Sequence, residues 1–124
     1  MLRYLIAFSL FATAVSADVP QVTHTEISIT GDIYNFTVTV QHNDEDWDHY
    51  VEHWVVRAPG GEILGKRDMN MPHSGSYGRT TRTLSGVRIP GDLRQVSIQA
   101  HDIRHGWGPP TTVSLHRIKH GSGP

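Results

Sequence analysis

Two stretches of the chain gather side chains that bind protons and metal ions. Gln99–Gly108 reads Q-A-H-D-I-R-H-G-W-G, and Gln41–Tyr50 reads Q-H-N-D-E-D-W-D-H-Y. Each places two histidines, at least one aspartate and a tryptophan within ten residues. A third stretch, Met69-x-Met71-x-His73, adds two thioethers and an imidazole. The whole chain has nine histidines in 124 residues and no cysteine. Histidine titrates near neutrality and is the commonest metal ligand. The lack of thiols excludes disulfides, thiolate zinc sites and iron–sulfur ligation. The donors that remain are imidazole, carboxylate and thioether. The candidate metal ligands are therefore His42, His73, His101, His105, Met69, Met71 and Asp102. His42, His101 and His105 lead this set, with His73, Met71 and Met69 as a clamp. Asp102, beside His101, serves as a ligand or orients an imidazole from behind. Copper is the preferred ion, since imidazole suits Cu(II) and thioether suits Cu(I). Zinc, held by histidine and aspartate, is the alternative.

Other chemistries fit less well. Asp44, Asp46 and Asp48 alternate as in calcium loops, but the sixth position is His49 rather than glycine and the twelfth is Val55. A solvated acidic loop is the simpler reading. Ser74 follows His73, yet Ser-Gly-Ser is ordinary loop composition and no oxyanion motif accompanies it. A non-enzymatic protein is thus the first reading, and an enzyme would need a metal that keeps an open coordination position. Trp47, Tyr50 and Trp107 offer a different function, a metal-free module that grips a protein or glycan with aromatic loops. Trp107, flanked by Gly106 and Gly108-Pro109-Pro110, equally fits packing over the end of a core. His24 and His53 read as outward strand residues, and His116 and His120 as tail residues.

Short β-like runs must position these loops. Residues 1–17 combine Arg3, an apolar stretch and Ala-Val-Ser-Ala, which predicts a secretory signal peptide cleaved before Asp18. Removing Arg3 with it leaves 10 Lys+Arg against 12 Asp+Glu, a balance without the basic excess of nucleic-acid binders. No later stretch has the roughly 20 apolar residues of a membrane helix. Alternation of apolar and polar residues then predicts strands over 22–30, 33–41, 49–58, 62–67, 79–89, 93–101 and 111–118. Tyr34, Phe36, Val38 and Val40 share one face, and His42 continues it. Val96, Ile98 and Ala100 point inward on the sixth run, Trp54 belongs to the core, and Ser85-Gly86 marks a bend or bulge. About seven strands with turns every 8–12 residues predict an all-β fold, an immunoglobulin-like or fibronectin-type sandwich over residues 18–118, followed by a flexible tail at 119–124. Alternate connections go to opposite ends, so loops 42–49, 68–78 and 102–110 should converge. This end of a rigid scaffold is where a site is expected.

The pieces W-D-H-Y (Trp47–Tyr50), L-S-G-V-R-I-P (Leu84–Pro90) and A-H-D-I-R-H-G-W-G (Ala100–Gly108) resemble a group of small uncharacterised exported, periplasmic proteins of proteobacteria. The resemblance spans most of Val22–Leu115 and implies an immunoglobulin-like sandwich and a periplasmic or secreted address. It implies no particular activity. A looser similarity to periplasmic copper carriers rests on Met69, Met71 and His73 alone.

Overall fold

The computed structural model describes residues 19–42, 49–70 and 78–115. The predicted leader and tail, the acidic aspartates, Trp47, Met71, His73 and Ser74 lie outside the described residues. Eight strands run in order: β1 (Gln21–Thr30), β2 (Ile33–Gln41), β3 (Val51–Arg57), β4 (Ile63–Asp68), β5 (Arg79–Arg88), β6 (Gln95–Asp102), β7 (Gly106–Trp107) and β8 (Thr111–Ser114). They form a sandwich of two antiparallel sheets. One sheet has the order β1-β2-β5, the other β4-β3-β6-β7, with β8 also paired to β6. The strand beyond the expected seven is β7, a two-residue piece that returns from β6 in a tight hairpin.

Turn chemistry explains the connections. Thr30 pairs with Ile33, and Gly31, at φ 67°, takes the first central position of the two-residue turn between them. Glycine there suits a type II′ hairpin. The anticipated bulge at Ser85-Gly86 is present: register shifts opposite Tyr34 and Phe36, Gly86 takes φ 78°, and its N–H donates to Asn35 Oδ1 at 3.1 Å.

The core lies between the sheets. Tyr34, Phe36, Val38 and Val40 from β2 meet Trp54 and Val56 from β3 and Val96, Ile98 and Ala100 from β6. Phe36, Trp54 and Ile98 are fully buried, and each such side chain gains about 1.5–3 kcal/mol from leaving water. This packing fixes strand register, because a one-residue slip would turn every apolar side chain outward. Register in turn fixes where the polar residues at the strand ends must point.

Candidate metal centre

Three inward-facing rows run past the apolar core and become polar at the same end of the sandwich. On β2 the buried alternation that starts at Tyr34 continues to His42. On β6 the row Val96, Ile98, Ala100 continues to Asp102. Ahead of β3, His49 shares the buried side with Val51. Ile103 N–H donates to Tyr50 O at 3.0 Å, which ties the end of β6 to the segment ahead of β3, and His42 N–H donates to Gly78 O at 2.8 Å, which ties the end of β2 to the start of β5. The expected convergence of the first and third loops is therefore seen at these anchor points.

Asp102 is the centre of the cluster and has no solvent exposure. Its Oδ2 lies 3.1 Å from His42 Nε2, 3.0 Å from His49 Nε2 and 3.1 Å from His105 Nδ1. The imidazole rings pack edge to face, His42 on His49 at 5.0 Å and His49 on His105 at 4.8 Å between centroids. The other carboxylate oxygen, Oδ1, accepts the N–H of Arg104 at 2.9 Å. That bond is an Asx turn, and it shapes the 103–105 loop so that His105 folds back on its own aspartate. Gly106, at φ 84°, closes the loop where it pairs with Asp102.

The electrostatics favour an ionised carboxylate. Burial pushes the Asp102 pKa up, but the Arg104 N–H, the His105 hydrogen bond and the nearby His42 and His49 outweigh it, and the net shift is downward. A carboxylate oxygen offers about two lone-pair directions. Three imidazole nitrogens on one such oxygen exceed what aligned hydrogen bonds can use. The same nitrogens and oxygen, drawn to a common point, are the donor set of a metal ion. One donor atom from each of His42, His49 and Asp102 lies within 4.8 Å of the others, so modest side-chain rotation could bring all three to bonds near 2 Å. His105 closes the cluster from the solvent side, its side chain 35% exposed.

A second group sits on the outer face of the β4-β3-β6-β7 sheet. Successive residues of a strand point to opposite faces, so His101 faces away from Asp102. His101 Nδ1 is 2.6 Å from Glu52 Oε2, and its ring stacks on His53 at 5.1 Å with 2° between planes. Trp107 meets both rings edge-on, at 4.7 Å from His101 and 5.4 Å from His53, and the Arg57 guanidinium lies 4.7 Å over the indole. The register of β3 against β6 shifts between Val51 and His53. This bulge lets neighbouring Glu52 and His53 both reach His101, which a regular strand would forbid. Burial, then the Lys66 charge, lowers the His53 pKa; His101 adds to the shift, and Glu52 and Asp68 oppose it.

The expected ligands thus separate. His42, His105 and Asp102 come together, whereas His101 belongs to the outer group. Asp102 meets His42, His49 and His105 and faces away from His101, because strand alternation puts adjacent residues on opposite faces. His49, left out of the expected ligand set, is buried at the centre; its two-residue offset from Val51 was the available signal. Met69 is 5% exposed and packs in the apolar core cluster, and Asn70 after it has a positive φ of 66°. His53 is half-buried rather than simply outward. Of the aromatics named for partner binding, Tyr50 is half-buried and Trp107 is 39% exposed.

Comparison with known proteins gives partial likenesses. No protein-family model matches the chain. A lipoprotein-named protein of Halomicrobium mukohataei is 31% identical over 81 residues, which cover 65% of this chain and 39% of that one. The matched part thus spans well under half of that relative. Among solved structures, a hypothetical protein of Pyrococcus horikoshii OT3 superposes with TM-score 0.48 at 17% identity, covering 79% of this chain and 88% of its own. A superoxide reductase (1Fe-SOR) of Giardia intestinalis gives TM-score 0.43 at 15% identity, covering 73% and 95%. Among the described residues, no helix is long and apolar enough to cross a membrane.

Proposed function

We propose that the protein is an exported, non-enzymatic metal-binding protein whose ion is held by His42, His49, His105 and Asp102. The observation that carries this reading is the convergence of three imidazole nitrogens, at 3.0–3.1 Å, on one oxygen of a fully buried aspartate. Three imidazoles and a carboxylate are borderline donors, suited to Cu(II) and Zn(II). Cu(II) is the first choice, because nitrogen sites bind it more tightly than the other divalent first-row ions. Its donors among the described residues are imidazole and carboxylate, which favour Cu(II) over Cu(I). Zinc is second.

Export rests on the leader-like residues 1–17 and is supported by the lipoprotein-named relative. The mature domain would then be 18–118, with 119–124 as a tail, in the periplasm or outside the cell. The division into three strands against the rest supports an immunoglobulin-like description of the sandwich.

Calorimetric titration of the full chain with CuCl2 and with ZnCl2 tests the function. One tight equivalent should disappear in His49→Gln, a variant that removes a buried donor and keeps a polar side chain of similar reach. If His49→Gln binds every equivalent with unchanged affinity, the buried cluster is a hydrogen-bond network and the metal reading fails there. Mass measurement of the chain recovered from the exported fraction tests the address, with Asp18 as the expected first residue.

A further inference from the structure

The outer group on the same sheet has no part in the buried centre, yet it carries the chemistry of a second site. Glu52, His53 and His101 each offer a donor atom within 4.8 Å of the other two. All three residues are partly exposed. His101 Nδ1 is buried, makes no hydrogen bond and lies in ion-pair contact with Glu52 Oε2 at 2.6 Å. The bulge at Glu52 brings this pair together. Lys66 pairs with Asp68 at 3.5 Å. The indole of Trp107, in contact with both imidazoles, forms one wall.

We propose that Glu52, His53 and His101 form a second transition-metal site, partly open to solvent, on the outer face of the β4-β3-β6-β7 sheet. It takes a divalent ion through two imidazole nitrogens and one carboxylate oxygen, and leaves coordination positions for water or an exogenous ligand. His101 and Asp102 are consecutive on β6, so one strand presents a donor to each site from opposite faces. The outer site stands independently of the buried one.

Trp107 makes the proposal testable by fluorescence. Cu(II) held by His53 and His101 would sit beside the indole and quench it. The full chain is titrated with CuCl2, recording bound equivalents and tryptophan emission, for wild type, Trp107→Phe, Glu52→Gln and His53→Gln/His101→Gln. The expected result is two equivalents in the wild type, one accompanied by quenching that Trp107→Phe lacks. The double histidine variant should lose that equivalent and its quenching while keeping the other. Glu52→Gln should weaken it by more than about 10-fold, the smallest effect usual for removing even a supporting partner. Retention of both equivalents and of quenching in the double variant overturns the outer site. So does a single wild-type equivalent that the double variant keeps, and this outcome leaves the buried centre standing. A single equivalent lost in the double variant upholds the outer site and removes the buried one. Absence of any binding overturns both. Unchanged thermal unfolding of Glu52→Gln separates loss of ligand from loss of fold.

Discussion

Asp102→Asn isolates the charge on which the buried centre depends. The carboxylate has no exposure, holds the Arg104 N–H at 2.9 Å and faces three imidazole nitrogens at 3.0–3.1 Å. In the variant the amide oxygen can keep the Arg104 bond. The amide nitrogen then replaces an acceptor with a donor, at the point where the imidazoles had met an acceptor. A hydrogen bond to a charged group contributes about 1.5–3 kcal/mol. Loss of more than one such bond, partly offset by one amide–imidazole bond, places the expected loss at about 3 kcal/mol. For a domain of this size that lowers Tm by about 15 °C. The assay is thermal and urea unfolding in the presence of chelator, followed by the same measurement with CuCl2. Wild type at a free ion concentration of about 100 Kd should gain about 2.7 kcal/mol, whereas Asp102→Asn should gain far less. A chelated variant within about 0.5 kcal/mol of wild type, the range of an ordinary surface substitution, would refute the account of Asp102 as a buried charge held by its partners. An undiminished gain with copper would remove Asp102 from the ligand set.

Three further outcomes follow from the same geometry. The Asp102 carboxyl is held below its ordinary value of 3.8 in the native state, so the unfolded chain binds more protons there. Its contribution is complete above the unfolded value and is lost as pH falls through the lower native one; urea unfolding of the chelated protein at acid pH should show a slope that Asp102→Asn lacks. His53 is also lowered, from 6.5, but for a base this means that the unfolded chain protonates first as pH falls. Stability should therefore decline from pH 6.5 down to the native pKa and level off below it, and His53→Gln should flatten that limb. Gly108→Ala should destabilise by about 2 kcal/mol or more, as overpacking does, because an added Cβ would collide with the backbone oxygen of Pro20; chemical denaturation measures it, and a neutral effect would mean the N-terminal segment shifts freely.

Much of the site was legible as periodicity. The alternation from Tyr34 to Val40 carries His42 inward, and the alternation from Val96 to Ala100 carries Asp102 inward and His101 outward. A two-residue period read strictly to the strand end assigns these faces without any structure. Grouping His101 with His42 and His105 as ligands overlooks this alternation, which turns the neighbours His101 and Asp102 to opposite faces of the sheet. Turn residues were equally legible, since Gly31 and Gly86 adopt the positive φ that their positions imply.

The sequence by itself determined an all-β chain, its main hairpin, its core faces and the residue types available for metal chemistry. These follow from local alternation and turn stereochemistry, which each segment expresses on its own. Only the tertiary structure decided which histidines meet. His42, His49 and Asp102 are brought together by register across two sheets, and register is a property of paired strands. The bulge at Glu52 is also a tertiary decision: Val51 pairs with Asp102 and His53 with His101, so one residue must be accommodated between them. That single insertion lets Val51 and Trp54 both enter the core while Glu52 and His53 share the outer face. It separates one histidine-rich stretch into two centres.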